Sequence, residues 1–267
     1  MRRSRLLLFL GTLLLAGTTA LTGAAAAQAS PQAAGGYVAL GDSYSSGVGA
    51  GSYTAESGDC KRSTKAYPYL WQAANSPSSF DFEACSGART GDVLSGQLGT
   101  LSTATGLVSI SVGGNDAGFA DVMTTCVLQS DSTCLNRIAT ARAYVESTLP
   151  GRLDSVYSAI RDRAPNAEVV VLGYPRFYKL GTFCIGLSET KRKAVNDAAD
   201  LLDNAIAQRA RAHGFTFGDV RTTFTGHEIC SGNSWLHSVD WLNIGNSYHP
   251  KAAGQSGGYL PVLDAAA

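Results

Sequence analysis

The sequence is poor in charge. Lys, Arg, Asp and Glu make up 16% of its 267 residues, 21 basic against 21 acidic. Arg2, Arg3 and Arg5 fall within the first 29 positions, which contain no acid, so the remainder has 18 basic against 21 acidic residues. A basic face of the size nucleic acid demands cannot be assembled from that balance, which excludes nucleic acid as a partner. Past the first segment no apolar run is long enough to cross a bilayer. Metal and nucleotide signatures are missing too. There is no C-x-x-C, no HExxH and no GxxxxGK[ST], and the glycines at 47, 49 and 51 lack dinucleotide-fingerprint spacing. The G-x-S-x-G elbow is also absent. Ser188 to Lys191 fits S-x-x-K, but it opens a predicted helix and has neither S-D-N nor K-T-G beside it. These absences leave no metal or organic cofactor to expect.

What is present begins with the leader. A basic start precedes an apolar run from Leu6 to Ala16, and small residues follow as far as Ala27-Gln28-Ala29. This is the layout of a secretory signal peptide over residues 1–29, cleaved after Ala29. The reading predicts an exported, extracellular protein without a stable membrane anchor, in which transient contact with a lipid interface remains compatible. Residues 30–267 are expected to form one domain, because no repeat or linker divides them. A hydrophobic content of 45% with 30 glycines rules out a wholly disordered chain. All six cysteines, Cys60, Cys85, Cys126, Cys134, Cys184 and Cys230, follow the leader, and an even count in an exported chain points to three disulfides. Six cysteines allow 15 pairings. The sequential one is the simplest, each bridge closing a local loop and contributing roughly 3 kcal/mol.

Apolar patterning predicts strands at 37–42, 80–84, 107–112, 167–172 and 215–220. Helices are expected at 67–75 and across 133–163, where Pro150 marks a break or restart, and from Ser188 to a glycine cap at Gly214. The glycine- and serine-rich stretch 45–58 reads as a mobile loop. Strands alternating with helices imply a parallel sheet covered on both faces, with ligands at the carboxyl ends of the strands. Three polar turns follow strands there: Gly41-Asp42-Ser43-Tyr44, Cys85-Ser86-Gly87-Ala88 and Gly113-Gly114-Asn115-Asp116.

Ser43 is a candidate nucleophile at a helix start, where the backbone N–H and the helix dipole would stabilise negative charge, although a plain helix cap reads the same way. Four histidines are available as its base. His213 lies at the end of the long helix and reads as solvent-facing, while His227 has no evident partner. His237 and His249 share the late loop region, and Pro250 after His249 is placed to begin the last helix. Asn115 could donate its amide to an oxyanion or simply form an Asx turn. Gly87 offers a backbone N–H beside Cys85.

In their order these turns, with His249-Pro250 at the end, resemble the SGNH (GDSL) hydrolase family, most closely its secreted bacterial lipases and esterases with three disulfides. The resemblance implies a three-layer α/β/α sandwich, flavodoxin-like, with a five-stranded parallel sheet. It implies Ser43 as nucleophile and His249 as base, with the N–H of Ser43, the N–H of Gly87 and the amide of Asn115 forming the oxyanion hole. It also implies sequential pairing of the cysteines. One departure stands out. The family commonly has aspartate three residues before the histidine, and Asn246 stands there. The resemblance offers the main-chain carbonyl of Ser247 as the group that orients His249, with a remote carboxylate such as Asp240 as the other option.

The function expected is hydrolysis of carboxylic esters, acylglycerol or phospholipid, through an acyl-enzyme. The low charge and the 45–58 loop suggest an open site for acyl chains. A polysaccharide O-deacetylase and a non-catalytic exported binding domain are the competing readings.

Overall fold

The computed structural model describes residues 35–267. The predicted signal peptide and its cleavage point lie outside the described residues. Five strands form one parallel sheet in the order β2-β1-β3-β4-β5. They are β1 (Gly36–Gly41), β2 (Phe80–Phe82), β3 (Thr105–Ser111), β4 (Glu168–Leu172) and β5 (Thr216–Gly218). Each lies within one or two residues of its predicted start. β2 and β5 end sooner than expected, although the N–H groups of Glu83 and Ala84 still donate to Ala39 O at 2.8 and 3.0 Å. Continuous apolar runs such as Tyr37–Leu40 and Val169–Leu172 are buried, as a sheet covered on both faces requires.

The helices are α1 (Ser43–Ser46), α2 (Tyr67–Asn75), α3 (Thr90–Gly96), α4 (Phe119–Leu128), α5 (Asp131–Ser147), α6 (Leu149–Arg163) and α7 (Glu189–Ala212). Near the C-terminus α8 (Ala252–Gly254) and α9 (Leu260–Asp264) flank a π-helical turn, Gln255–Tyr259. The C-terminal elements pack on α2, where Tyr67 stacks on Tyr259. Helices α4 to α7 pack on one another as a second layer. The stretch 133–163 proves to be two helices. Pro150 restarts the chain, since it occupies the first turn of α6, where its missing N–H costs nothing.

α3 and α4 have no counterpart among the expected helices. α3 contains two glycines, Gly91 and Gly96, in seven residues, and α4 follows Gly118, which has no capping side chain. What holds α4 is tertiary: the Cys126–Cys134 bridge ties it to α5. Ser188 caps α7 by accepting from Lys191 N–H at 3.2 Å, and Gly214 follows in the left-handed region at φ +68°. The Lys191 ammonium donates to the carbonyls of Cys126 and Gln129 at 2.9 and 2.6 Å, so the S-x-x-K match is structural. The other bridges are Cys60–Cys85 and Cys184–Cys230, which completes the sequential pairing.

Two expectations are corrected. The 45–58 stretch is no loose loop over its first half: Ser45, Ser46, Val48 and Ala50 are buried, and the N–H groups of Gly47 and Val48 both donate to Ser43 O. Gly49 lets it lie there, because a Cβ at that position would come within 2.8 Å of Pro250 O and 3.0 Å of His249 Cβ. Pro250 does not begin a helix. It pairs with Leu236 in an isolated antiparallel bridge, and α8 starts two residues later.

Candidate active site

The carboxyl ends of β1, β3 and β4 and the turn after β2 converge on one point. β1 ends at Gly41 with φ +118°, where any Cβ would run into the Ser111 carbonyl of β3. The Gln97 side chain brackets that residue, accepting from Gly41 N–H at 2.7 Å and donating to Gly41 O at 2.9 Å. The chain then turns into α1 with Asp42 as its cap. Ser43 is the first helical residue and is 6% exposed. No acceptor lies against the N–H of Ser43 or Gly87 within the described residues. Ser43, Gly87 and Asn115 line one cavity. The Asn115 amide spends one N–H on Ala88 O at 3.0 Å, which holds the third turn against the second and leaves its other N–H unspent. Asp116 fastens the same turn to α3 by accepting from Thr90 N–H at 3.0 Å.

Of the four histidines, one reaches Ser43. His249 Nε2 lies 2.8 Å from Ser43 Oγ, and its Nδ1 lies 3.1 Å from the Ser247 carbonyl. A carbonyl only accepts, so Nδ1 carries the proton and Nε2 is left to accept the Ser43 hydroxyl. Burial pushes the His249 pKa down to about 4, against the pull of the Ser247 and Asn246 carbonyls. The imidazole is therefore neutral at ordinary pH. Asp240 is turned away: its carboxylate accepts from the N–H groups of Leu242 and Asn243 at 3.1 and 3.0 Å.

The remaining histidines are accounted for by packing. His213 is not solvent-facing, since its Nε2 meets Asp154 at 3.0 Å and its ring abuts Tyr157. His227 does have partners, with Nδ1 at 2.9 Å from Asn233 O and its ring stacked on Trp235. His237 Nε2 donates to Gly49 O at 2.9 Å, and its backbone pairs with that of Tyr248 and His249.

Two tyrosines of the site were invisible in the sequence. Tyr248 sits at φ +65°, a conformation costing an L-residue roughly 1–2 kcal/mol. It is held there by Tyr44 Oη, which donates to its carbonyl at 2.7 Å, and by Tyr178 Oη, 3.0 Å from its own hydroxyl. That kink turns the Ser247 carbonyl beneath His249. Tyr174, just after β4, donates to Asp42 and accepts Gly114 N–H at 3.2 Å, so one hydroxyl joins two of the turns. Asp42 is 1% exposed and also accepts from Ser111 Oγ at 2.7 Å and Tyr44 N–H at 3.0 Å. Burial still lifts its carboxyl to about 6 against those donors. No sequence signal marks Tyr174 or Tyr248.

From Ser43 a cavity of ≈ 570 Å³ runs between α4, α5 and α7. Val122, Met123, Ile138, Val145, Val195 and Leu202 contribute to its walls, so it is mostly apolar, with Thr124 and Arg142 as polar members beyond the Ser43 end. Residues 45–58 contribute nothing to it, which corrects the expectation that this stretch shapes the acyl site. Among the described residues no helix is long and apolar enough to cross a membrane, and no three His, Cys, Asp or Glu gather as a metal would need.

A parallel sheet with a serine–histidine pair at its carboxyl edge and an apolar cavity beside it defines a class of acyl hydrolases. The chain belongs to the GDSL-like lipase/acylhydrolase family, whose pattern residues 39–256 match. It is 79% identical to Lipase 1 of Streptomyces coelicolor over 268 residues, covering 100% of both chains. Among solved structures it is similar to phospholipase A1 of Streptomyces albidoflavus NA297, with TM-score 0.87, 69% identity and coverage of 88% of this chain and 100% of that one. It is likewise similar to the extracellular lipase of Streptomyces rimosus, with TM-score 0.86, 66% identity and the same coverage of 88% and 100%.

Proposed function

We propose that the protein is a secreted serine lipase that hydrolyses acylglycerol or phospholipid esters through an acyl-enzyme. Ser43 Oγ attacks the ester carbonyl as His249 Nε2 takes its proton. The oxyanion is received by the N–H groups of Ser43 and Gly87 and by the free N–H of Asn115. Collapse expels the alcohol, protonated by His249, and water repeats the sequence on the acyl-enzyme. The Ser247 carbonyl fills the orienting place that a carboxylate takes in a triad, so the machinery is a dyad.

The observation that carries this reading is the 2.8 Å contact between Ser43 and His249 at the head of an apolar cavity. A cavity of ≈ 570 Å³ with aliphatic walls suits a fatty acyl chain. An acetylated sugar has nothing to place there and would need polar partners, which weighs against the O-deacetylase reading. The names of the similar proteins, lipase and phospholipase A1, agree with a lipid ester as substrate. Export rests on the leader 1–29, with residues 30–267 as the mature domain, and on three disulfides with no free cysteine among the described residues.

Ser43→Ala tests the chemistry. Its activity on p-nitrophenyl butyrate and on a long-chain ester should fall by several powers of ten. Mass spectrometry of the quenched wild-type reaction should find the acyl group on Ser43. A Ser43→Ala protein that still turns over would refute the assignment. N-terminal sequencing of culture supernatant reads the cleavage point.

A further inference from the structure

Large apolar side chains standing in water are informative when they cluster at a site. Leu242 is 92% exposed, Trp241 70%, Ile244 64% and Leu128 61%. Trp241, Ile244 and Leu128 also line the cavity that begins at Ser43, so they are its rim. Phe183 and Ile185 are as exposed but line no part of the cavity. The turn carrying Trp241 and Leu242 is built to hold them outward. Asp240 accepts from the N–H groups of Leu242 and Asn243, Asn246 N–H donates to Asn243 O at 2.8 Å, and Ser247 Oγ accepts Asp240 N–H at 2.9 Å. These bonds hold the turn's backbone in the course that leaves Trp241 and Leu242 exposed. It also runs directly into Ser247 and His249.

We infer that the turn 241–244, with Leu128 at the same cavity, is the surface on which this protein docks to a lipid–water interface. The inference rests on the proposed lipase reading and says how its substrate arrives. An acyl chain leaving a lipid surface must cross water unless the cavity mouth is pressed against that surface, and an apolar rim removes the crossing. Charge does not select the surface. The Asp240 carboxylate and the Lys61 ammonium, which lies beside Gly245, flank the turn with opposite signs. With neither sign favoured, the occupant is a lipid surface without net charge, and for a phospholipid ester as substrate that is a zwitterionic phosphatidylcholine surface.

The test uses Ser43→Ala protein, so that vesicles survive and binding is read independently of turnover. With phosphatidylcholine vesicles carrying brominated acyl chains, Trp241 fluorescence should be quenched. Trp71 and Trp235 are less exposed, and Trp241→Phe should abolish the quenching. In the same background Leu242→Asp should lower vesicle partitioning about tenfold, as expected for withdrawing one leucine from an apolar phase. Leu242 lines no part of the cavity, so in otherwise wild-type enzyme the substitution should leave soluble p-nitrophenyl butyrate hydrolysis and melting temperature unchanged, while vesicle phospholipid hydrolysis falls about tenfold. Three outcomes would overturn the inference: no sedimentation with vesicles, quenching that survives Trp241→Phe, or equal losses on soluble and vesicle substrates. So would a dimer in analytical ultracentrifugation that Leu242→Asp dissolves, since a second copy would then cover the surface. Normal butyrate hydrolysis without vesicle binding would overturn docking alone and leave the Ser43 chemistry standing.

Discussion

Tyr174→Phe should separate a positioning hydroxyl from a merely buried ring. Phenylalanine keeps the cavity wall and removes one oxygen, which donates to the Asp42 carboxylate and accepts Gly114 N–H at 3.2 Å. A bond to a charged group contributes about 1.5–3 kcal/mol, and a stranded backbone N–H costs about 1–3 kcal/mol, so the loss should be about 3–5 kcal/mol. For a chain of this size each kcal/mol shifts the melting temperature by about 2–4 °C, so a fall of about 10 °C is expected. The deficit should depend on pH. Asp42 titrates at about 6 in the folded protein, above its unfolded value of 3.8, so the stability tied to its protonated form is lost as pH rises through that window. Removing a donor to the carboxylate lifts the folded value further, and the variant should lose more at pH 8 than at pH 5. Gly114 precedes Asn115, so kcat should fall about tenfold as the amide drifts, with KM little changed. Circular dichroism melts at the two pH values and kinetics on p-nitrophenyl butyrate read all of this. An equal melting deficit at both pH values, or an unchanged kcat, would refute the reasoning.

Asn115→Ala should lower kcat by about 10²- to 10³-fold on the same ester if Asn115 supplies one donor of the proposed oxyanion hole. An unaltered kcat would reduce Asn115 to its bond with Ala88. Asn246→Ala, Ser247→Ala and Asp240→Asn should each be mild, because the carbonyl proposed to orient His249 belongs to the backbone, whereas His249→Ala should remove nearly all activity. A collapse of Asp240→Asn without unfolding would bring back the carboxylate. Because burial holds His249 at about 4, kcat/KM should stay high down to about pH 5. The unfolded chain binds that proton more readily, at about 6.5, so the His249 contribution to stability should rise with pH between 4 and 6.5; a kcat/KM profile breaking near 7 would contradict this. Reduction of the Cys60–Cys85 bridge, two residues before Gly87, should lower melting temperature and kcat together, as measured in dithiothreitol.

Features that local chemistry specifies are legible along the chain. Apolar runs of strand length between helical periods could make only a covered parallel sheet, and the turns after β1 and β3 announce themselves through Gly41 and Gly113, which alone accept the left-handed backbone those turns need. Ser188 and Gly214 mark the ends of α7 for the same local reason. Partnership across the chain is a different matter. Ser43 and His249 are 206 residues apart, and Asp42 and Tyr174 are 132 apart. Nothing in the neighbourhood of any of the four histidines says which will meet Ser43, because that is settled by how the 236–250 segment pairs with itself and lies over Gly49. The same holds for the Ser247 carbonyl, a group every residue possesses, which faces an imidazole only because Tyr248 is held in a backbone conformation it would not adopt alone. The cavity was least legible of all. Its walls come from α4, α5 and α7, whose apolar residues read as ordinary core until packing leaves a space between them.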